Sequence, residues 1–468
     1  MTDRLSPLDV SFLSMETAST AMHVGGVCLF ELPAEGFDYD RLVELISQRI
    51  GLVPRYRQKV KAVPGHLANP VWVDDPDFDV TYHVRRSALP KPGNREQLKD
   101  LVGRLQSRQL DRNRPLWEIY LVEGLEAGSS GASRAAIITK THHSMVDGVS
   151  AVDIATVILD VEPTPRQVAQ DDWVPRSEPG ALSLVAGAVS DLVTRPTAAI
   201  DTARTAVGDV RATTGKVMSV AGGLLTQARL LARQAPDTPL NVPIGEQRRF
   251  SMVDTDLDDY KRVRKAHGGT INDVVLATVS GALRTWLLTR GEKVTTTTVV
   301  RALVPVSVLA DARKGELGNR VSSYFVDLPV GEGSGVMRLH QVSFAMRGHK
   351  ESGESVGADA LVQLSGFAPP TIHALGARTA SVMTRRLFNL VITNVPGPQF
   401  PLYAAGARML SMYPVVPLVK NQAVSIGLTS YDGGVYYGLN ADRDAMPDID
   451  VLASCIEESL AELVGTTR

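Results

Sequence analysis

The chain has 468 residues, 44% of them hydrophobic and 21% charged, with a formal net charge of -2 at pH 7. That length exceeds one ordinary compact core, so two lobes are expected, each with ample apolar sequence to bury. The near-neutral balance argues against a nucleic-acid partner, which a basic excess would announce, and two distant cysteines, Cys28 and Cys455, support neither a disulfide framework nor a zinc site and fit a reducing cytosol.

The amino-terminal stretch "MTDRLSPLDVSFLSMETAS" lacks the basic and then apolar sections of a signal peptide, and no apolar run reaches spanning length. A soluble or peripherally attached cytoplasmic protein is expected. Residues 1–165 mix strand-like runs ("HVGGVCLFEL", "WEIYLVEGL", "AAIITKT") with helical ones ("DRLVELISQRI", "QLKDLVGRLQSRQL"), an α/β texture. Residues 166–240 differ. "EPTPRQVAQDDWVPRSEPG" is punctuated like a linker, and Ala181 to Arg233 reads as weakly amphipathic helices broken at Pro196. This connector either packs on the lobes or rests on lipid, where Arg195, Arg204, Arg211, Lys216, Arg229 and Arg233 outnumber Asp191, Asp201 and Asp209. In residues 241–468 the α/β texture resumes. "TINDVVLATVSGALRTWLLTRG" is the clearest helix, with a capping box of Thr270 and Asp273 and a stop at Gly291, and "AVSIGLTSYDGGVYYGLN" reads as a hairpin turning at Asp432, Gly433 and Gly434.

The chemistry concentrates in "RAAIITKTHHSMVDGVSAVDIATVILD", where a buried-type strand over Ala135 to Thr141 gives way to a helical pattern from Val149 to Leu159. His142, His143, Asp147 and Gly148 occupy the connection. G-x-S-x-G and the P-loop pattern are both missing, which removes the main support for covalent serine catalysis and nucleotide hydrolysis. Adjacent histidines after a strand do not share the geometry of H-E-x-x-H, so no metal is expected. What remains is a neutral imidazole acting as general base on an alcohol that attacks an activated carbonyl. An unselected pair of histidines is more often structural, but H-H-x-x-x-D-G is a rare composite: an acid that can fix the loop and a glycine permitting tight entry to the helix.

That motif resembles the signature of the CoA-dependent acyltransferase superfamily, which includes chloramphenicol acetyltransferase and the condensation domains of peptide synthetases. Within it, the chain is similar to the bacterial wax ester synthase/diacylglycerol acyltransferases through "LSPLDVSFLSMET", "MHVGG", "LDRNRPLWEIYLVEGL", "TINDVVLA", "RALVPVSV", "GNRVSSYFVDLPV", "TNVPGP" and "SYDGGVYYGLNADRDAMPD", in family order. Ala21 stands where the family usually has proline. The resemblance implies two chloramphenicol acetyltransferase-like α/β lobes with mixed sheets flanked by helices, a helical connector, and an active-site tunnel between the lobes. It implies His143 as the base, His142 as its support, Asp147 as a structural partner of an arginine, and Gly148 as room for substrate. Pro115, Leu116 and Trp117 match the motif associated with acceptor selection. Asn272 with Asp273, and Asn394, Pro396 and Gly397, match further substrate-side landmarks. His23 matches a landmark too, but its surroundings read as a strand and no chemistry is assigned to it. The implied reaction takes long-chain acyl-CoA as co-substrate, without cofactor or metal, and esterifies diacylglycerol at a membrane or lipid-droplet surface. Esterification of a long-chain alcohol stays open beside it, as does, from another class, a catalytically weak lipid-binding protein. The sequence sets no oligomeric state.

Overall fold

The computed structural model describes residues 3–33, 36–128, 131–146, 154–169, 171–194, 234–307, 321–352, 356–357 and 387–467. The first half runs β1 (Asp3–Arg4), α1 (Pro7–Met15), β2 (His23–Glu31), α2 (Tyr39–Arg49), β3 (Gln58–Lys61), β4 (Val71–Asp74), α3 (Val80–His83), β5 (Val84–Ala88), α4 (Arg95–Gln106), β6 (Trp117–Leu125), β7 (Arg134–His142), α5 (Ile154–Ile158) and α6 (Ala181–Thr194). The second runs β8 (Arg248–Asp256), α7 (Leu257–His267), α8 (Ile271–Thr289), β9 (Val300–Ser307), β10 (Val321–Leu328), α9 (Gly335–Ser352), β11 (Val356–Gly357), β12 (Leu390–Pro396), β13 (Tyr403–Ala404), β14 (Ala407–Val415), β15 (Val424–Tyr431), β16 (Gly434–Asp442) and α10 (Ile449–Gly465).

Two mixed sheets carry the lobes. One has the order β13-β14-β2-β7-β6-β5, the other β11-β10-β9-β12-β15-β16-β8, and a small sheet β1-β4-β3 lies beside them. The second half of the chain does not keep to its own sheet, since β14 pairs antiparallel with β2, Val415 opposite Gly25 and Tyr413 opposite Val27. A shared core follows from that crossing. Leu98, Leu101, Val102 and Leu105 of α4 pack with Phe250 and Met252 of β8 and with Tyr413 and Val415 of β14. Around this core α4 is tied by polar contacts to two elements: to β8, where the Arg248 amide donates to Ser107 Oγ at 2.9 Å, and to α10, where Lys99 meets Asp450 at 2.7 Å.

Helix α8 begins and ends as its sequence predicts. Thr270 and Asp273 close a capping box, Gly291 takes a φ of 75°, and the helix buries residues on every side because the second sheet, α9 and α10 surround it. The hairpin also forms, with Asp432 and Gly433 at positive φ between β15 and β16.

The stretch expected as a linker is laid along the first lobe. Arg49 bonds Asp160 at 2.9 Å and the Arg166 carbonyl at 2.9 Å; Arg57 pairs with Asp171 and lies 4.7 Å from the Trp173 ring centroid; Lys61 reaches Glu178 and the Pro179 carbonyl. Helix α6 then docks Leu184 against Val63, Val71 and Val73 while Leu182 stays 87% exposed. Residues 195–233 of the connector, with all six of its counted cations, lie outside the described residues. No helix among the described residues is long and apolar enough to cross a membrane.

Strands β2 and β7 lie close at Gly25, where a Cβ would stand 2.0 Å from the Thr139 carbonyl oxygen. That atom is backbone in a central strand and cannot step aside. Gly25→Ala should therefore destabilise the protein by about 3 kcal/mol or more, the upper end of overpacking effects. Denaturant unfolding checks it, and a loss under about 1 kcal/mol would show that the strands can part.

Candidate active site

The histidine motif begins where β7 ends. His142 is the last residue of β7 and sits opposite His23, the first of β2. Its amide donates to the Leu116 carbonyl at 2.9 Å, so the segment Pro115 to Trp117 holds the motif through its backbone. His142 keeps an extended backbone, and its Nδ1 accepts from the Ser144 amide at 3.1 Å and lies 2.7 Å from Ser144 Oγ. An amide can only donate, so Nδ1 is unprotonated and the neutral ring carries its hydrogen on Nε2. This bond curls residues His143–Met145 into a single 3-10 turn. On the other side of the turn, the His143 amide donates to the Met22 carbonyl at 2.8 Å.

His143 therefore leaves the sheet with its backbone fixed on both sides. Its ring stacks on Phe12 of α1, with centroids 4.0 Å apart and planes at 27°. Helix α1 is held in place by Ser6 and Asp9, which form a capping box with Pro7 in the first turn. His143 Nδ1 is buried without a hydrogen-bond partner, while the residue as a whole keeps part of its surface accessible. Burial lowers the His143 pKa from its usual value, against a smaller opposing effect of its own backbone carbonyl, so the ring is neutral at pH 7.

Beneath the turn lies a buried polar cluster that the sequence did not reveal. Glu16, at the carboxyl end of α1, has a side chain only 2% exposed, and its carboxylate lies 3.1 Å from His23 Nε2, 2.7 Å from Arg112 and 3.9 Å from His142 Nε2. Burial would raise this carboxyl; the adjacent His23 and Arg112 and the neighbouring His142 outweigh it, and hold it at about 2. Burial lowers His142 to about 3 and lowers His23 as well, so both imidazoles are neutral and Arg112 is the cation that balances Glu16. Lys140, two residues before His142 on the same face, donates to the Leu105 and Arg108 carbonyls at the end of α4 and lies 3.8 Å from Glu118. The acid Glu16 and the cation Arg112 are 96 residues apart, so no spacing in the sequence joins them. The one available signal was a lone acid and a lone histidine, Glu16 and His23, in an otherwise apolar and hydroxyl-rich segment.

Other expected site residues divide. Asp147 and Gly148 lie outside the described residues. Leu116 and Trp117 are each 1% exposed, and Trp117 is held by its indole N–H to the Tyr56 carbonyl at 2.7 Å and by stacking on His83 at 4.5 Å. Asp273 is engaged in its capping box, but Asn272 beside it accepts from Asn394 Nδ2 at 3.1 Å, joining the start of α8 to β12. Past Asn394 the chain is fixed on β15: Thr429 Oγ1 donates to the Val395 carbonyl at 2.7 Å, and the Gly397 amide donates to the Ser430 carbonyl at 2.9 Å. Among the described residues no hydrogen bond or ring contact joins this pair of asparagines to the histidine turn. Nor is any group of three or more His, Cys, Asp or Glu among them arranged to hold a metal ion.

Comparison with known proteins gives one consistent result. Residues 5–275 match the family model described as the wax ester synthase/diacylglycerol acyltransferase catalytic domain, and residues 317–464 match the WS/DGAT C-terminal domain. A probable diacylglycerol O-acyltransferase of Mycobacterium tuberculosis is 33% identical over 470 aligned residues, covering 100% of this chain and 96% of that protein. The solved wax ester synthase/diacylglycerol acyltransferase from Marinobacter aquaeolei VT8 superposes with a TM-score of 0.68 at 30% identity, over 99% of both chains. The first condensation domain of the CDA synthetase shares the fold at 13% identity, with a TM-score of 0.56 over 100% of this chain and 97% of that one.

Buried neutral histidines make stability depend on pH. His142 and His83 are lowered by burial to about 3 and about 4 from 6.5, so below pH 6.5 the unfolded chain takes up protons that the folded chain refuses. Their contribution is complete above pH 6.5 and shrinks as pH falls toward the folded values, by roughly 2 kcal/mol each at pH 5. Unfolding measured at pH 7 and pH 5 should show this loss. His83→Phe, whatever it costs at pH 7, should lose less between the two; an equal loss would place the proton uptake elsewhere.

Proposed function

Because the chain belongs to the wax ester synthase/diacylglycerol acyltransferase family, we propose that it esterifies diacylglycerol with long-chain acyl-CoA by direct transfer, with His143 as general base. The observation that carries this reading is the state of His143: a neutral imidazole at the end of the motif's strand, stacked on Phe12, with Nδ1 buried and the residue as a whole still partly exposed. With Nδ1 closed, Nε2 is the nitrogen left to act. It takes the proton from the acceptor hydroxyl as that oxygen attacks the thioester carbonyl; the tetrahedral oxyanion collapses, the carbon–sulfur bond breaks, and the CoA thiolate recovers the proton from the imidazolium. The burial that keeps His143 neutral also disfavours its imidazolium, so the proton is passed on quickly instead of being stored. Enclosure keeps water from competing as acceptor.

The acceptor is diacylglycerol in this reading because the relatives matched along the whole chain carry that name. Long-chain alcohols are the second reading, favoured by the solved relative that is named for both activities. The reading includes Asp147 pairing with an arginine to hold the loop, Gly148 leaving room for substrate, and Asn272 and Asn394 shaping the tunnel from the second lobe. It also includes peripheral contact with membrane or droplet lipid through the connector, supported by Leu182 and Val174, which are 87% and 77% exposed.

An assay offering long-chain acyl-CoA with diacylglycerol and hexadecanol in competition tests the reading. Triacylglycerol should dominate; dominant wax ester would select the second reading, and no ester from either would leave a lipid-binding protein. His143→Ala should lower turnover by about 10²- to 10⁴-fold with the fold intact, and near wild-type turnover would remove His143 from the mechanism. Since His143 must be neutral to act and burial lowers its pKa, kcat/KM should hold as pH falls through 6.5 and decline only below it. A decline already centred above 6.5 would contradict that assignment. For the connector, Leu182→Glu should weaken flotation with anionic liposomes; unchanged flotation would place the lipid contact elsewhere.

A further inference from the structure

We infer that Glu16 is a positioning residue for the reaction, fixing through His142 the turn that presents His143. The inference rests on the proposed acyl transfer for its kinetic consequence, and on geometry for the rest. Glu16 meets His23, Arg112 and His142, and has no hydrogen bond or ion pair with His143. Its carboxylate stands where three separate pieces of chain converge: the first residue of β2 through His23, the last residue of β7 through His142, and the loop ahead of Pro115 through Arg112. Arg112 adds a bond to the Leu13 carbonyl at 2.8 Å, one residue from the Phe12 ring on which His143 stacks.

His142 is the link. Its Nδ1 is committed to Ser144, so its Nε2–H points at a buried surrounding in which Glu16 is the nearest anion. Glu16 Oε1, both nitrogens of His23 and Nε2 of His142 are all buried, and none has a hydrogen bond of good geometry. An ionised carboxylate in this setting favours hydrogens on the imidazole nitrogens that lie nearest it, His23 Nε2 at 3.1 Å and His142 Nε2 at 3.9 Å. The Nε2–H form is the one that lets Nδ1 accept from Ser144 and curl the turn. The same hydrogen closes the cluster to a metal ion, which would need the Nε2 lone pair. Glu16 thus favours, from the Nε2 side, the same tautomer that Ser144 requires from the Nδ1 side, and that tautomer sets the backbone that carries the second histidine.

The experiment compares Glu16→Gln and Glu16→Asp with the wild type, alone and combined with His142→Ala. Both single variants should keep their KM values, since Glu16 meets no substrate, and lose kcat by roughly 10- to 100-fold, as expected when a reacting group is misplaced by a fraction of an ångström to an ångström. Combined with His142→Ala, neither should lower kcat further than His142→Ala does alone, because Glu16 acts through that ring. Glu16→Asp keeps the charge and guards against a Gln variant that fails to fold. A second readout needs no substrate: in two-bond proton–nitrogen spectra of the imidazoles, the wild type should show His142 as the neutral Nε2–H tautomer. In Glu16→Gln the signals of His142 and of His143, which Glu16 does not touch, should lose their single set. Wild-type kcat in the single variants, losses that multiply in the double variants, or unchanged His143 signals would each overturn the inference. If the wild type transfers no acyl group, the proposed activity fails, and the spectra alone decide this point.

Discussion

Strand β2 is paired along both edges, and the rest of the molecule hangs on that constraint. One edge receives β7, which ends in the histidine motif; the other receives β14, which arrives from far along the chain after crossing from the second sheet. A strand in this position cannot slide, since a shift of one residue against β7 would turn every side chain to the wrong face and separate His23 from His142. The close approach at Gly25 tightens the pairing two residues from the site. The site is thus held where the two halves of the chain are stitched together, and the shared core of α4, β8 and β14 keeps the halves in register with it.

Around that pairing the protein buries an unusual amount of ionisable chemistry close to one turn. Its solution is to leave the imidazoles neutral and to confine charge to pairs whose cation is an arginine or a lysine: Glu16 with Arg112, Glu118 with Lys140. Even so, Lys140 is lowered by burial to about 8, while the carbonyls ending α4 accept from its ammonium. Buried groups of this kind seldom add net stability over an apolar core, but they define one arrangement of hydrogens among many. In the proposed role of general base, where a lone pair must point one way, definition matters more than stability.

Legibility in the sequence followed locality. The capping box of Thr270 and Asp273, the stop at Gly291 and the turn at Asp432 and Gly433 are fixed by neighbours within a few residues, and each formed as read. The strand leading into His142 was legible for the same reason. The entry of β14 into the first sheet was not. Its burial alternates like that of any half-buried strand, and nothing in Ala407 to Val415 names β2 as the partner. Glu16 was missed because its meaning depends on Arg112 and His142, which only the fold brings near. At Pro115 to Trp117 the local pattern, a proline starting a strand with two core side chains, formed as such, and the segment also meets the histidine motif through the Leu116 carbonyl. The proline-rich stretch after Asp160 has the composition of a linker, yet Arg49, Arg57 and Lys61 hold it flat against the first lobe, a pairing invisible from composition.

In the proposed direct transfer, the acyl group passes from thioester to alcohol while His143 moves only the proton. The most direct test is intact-chain mass spectrometry after rapid mixing with long-chain acyl-CoA in the absence of any acceptor. The account predicts an unmodified chain, followed by ester formation when diacylglycerol is added. A chain carrying one acyl group, discharged to the acceptor on its addition, would contradict it.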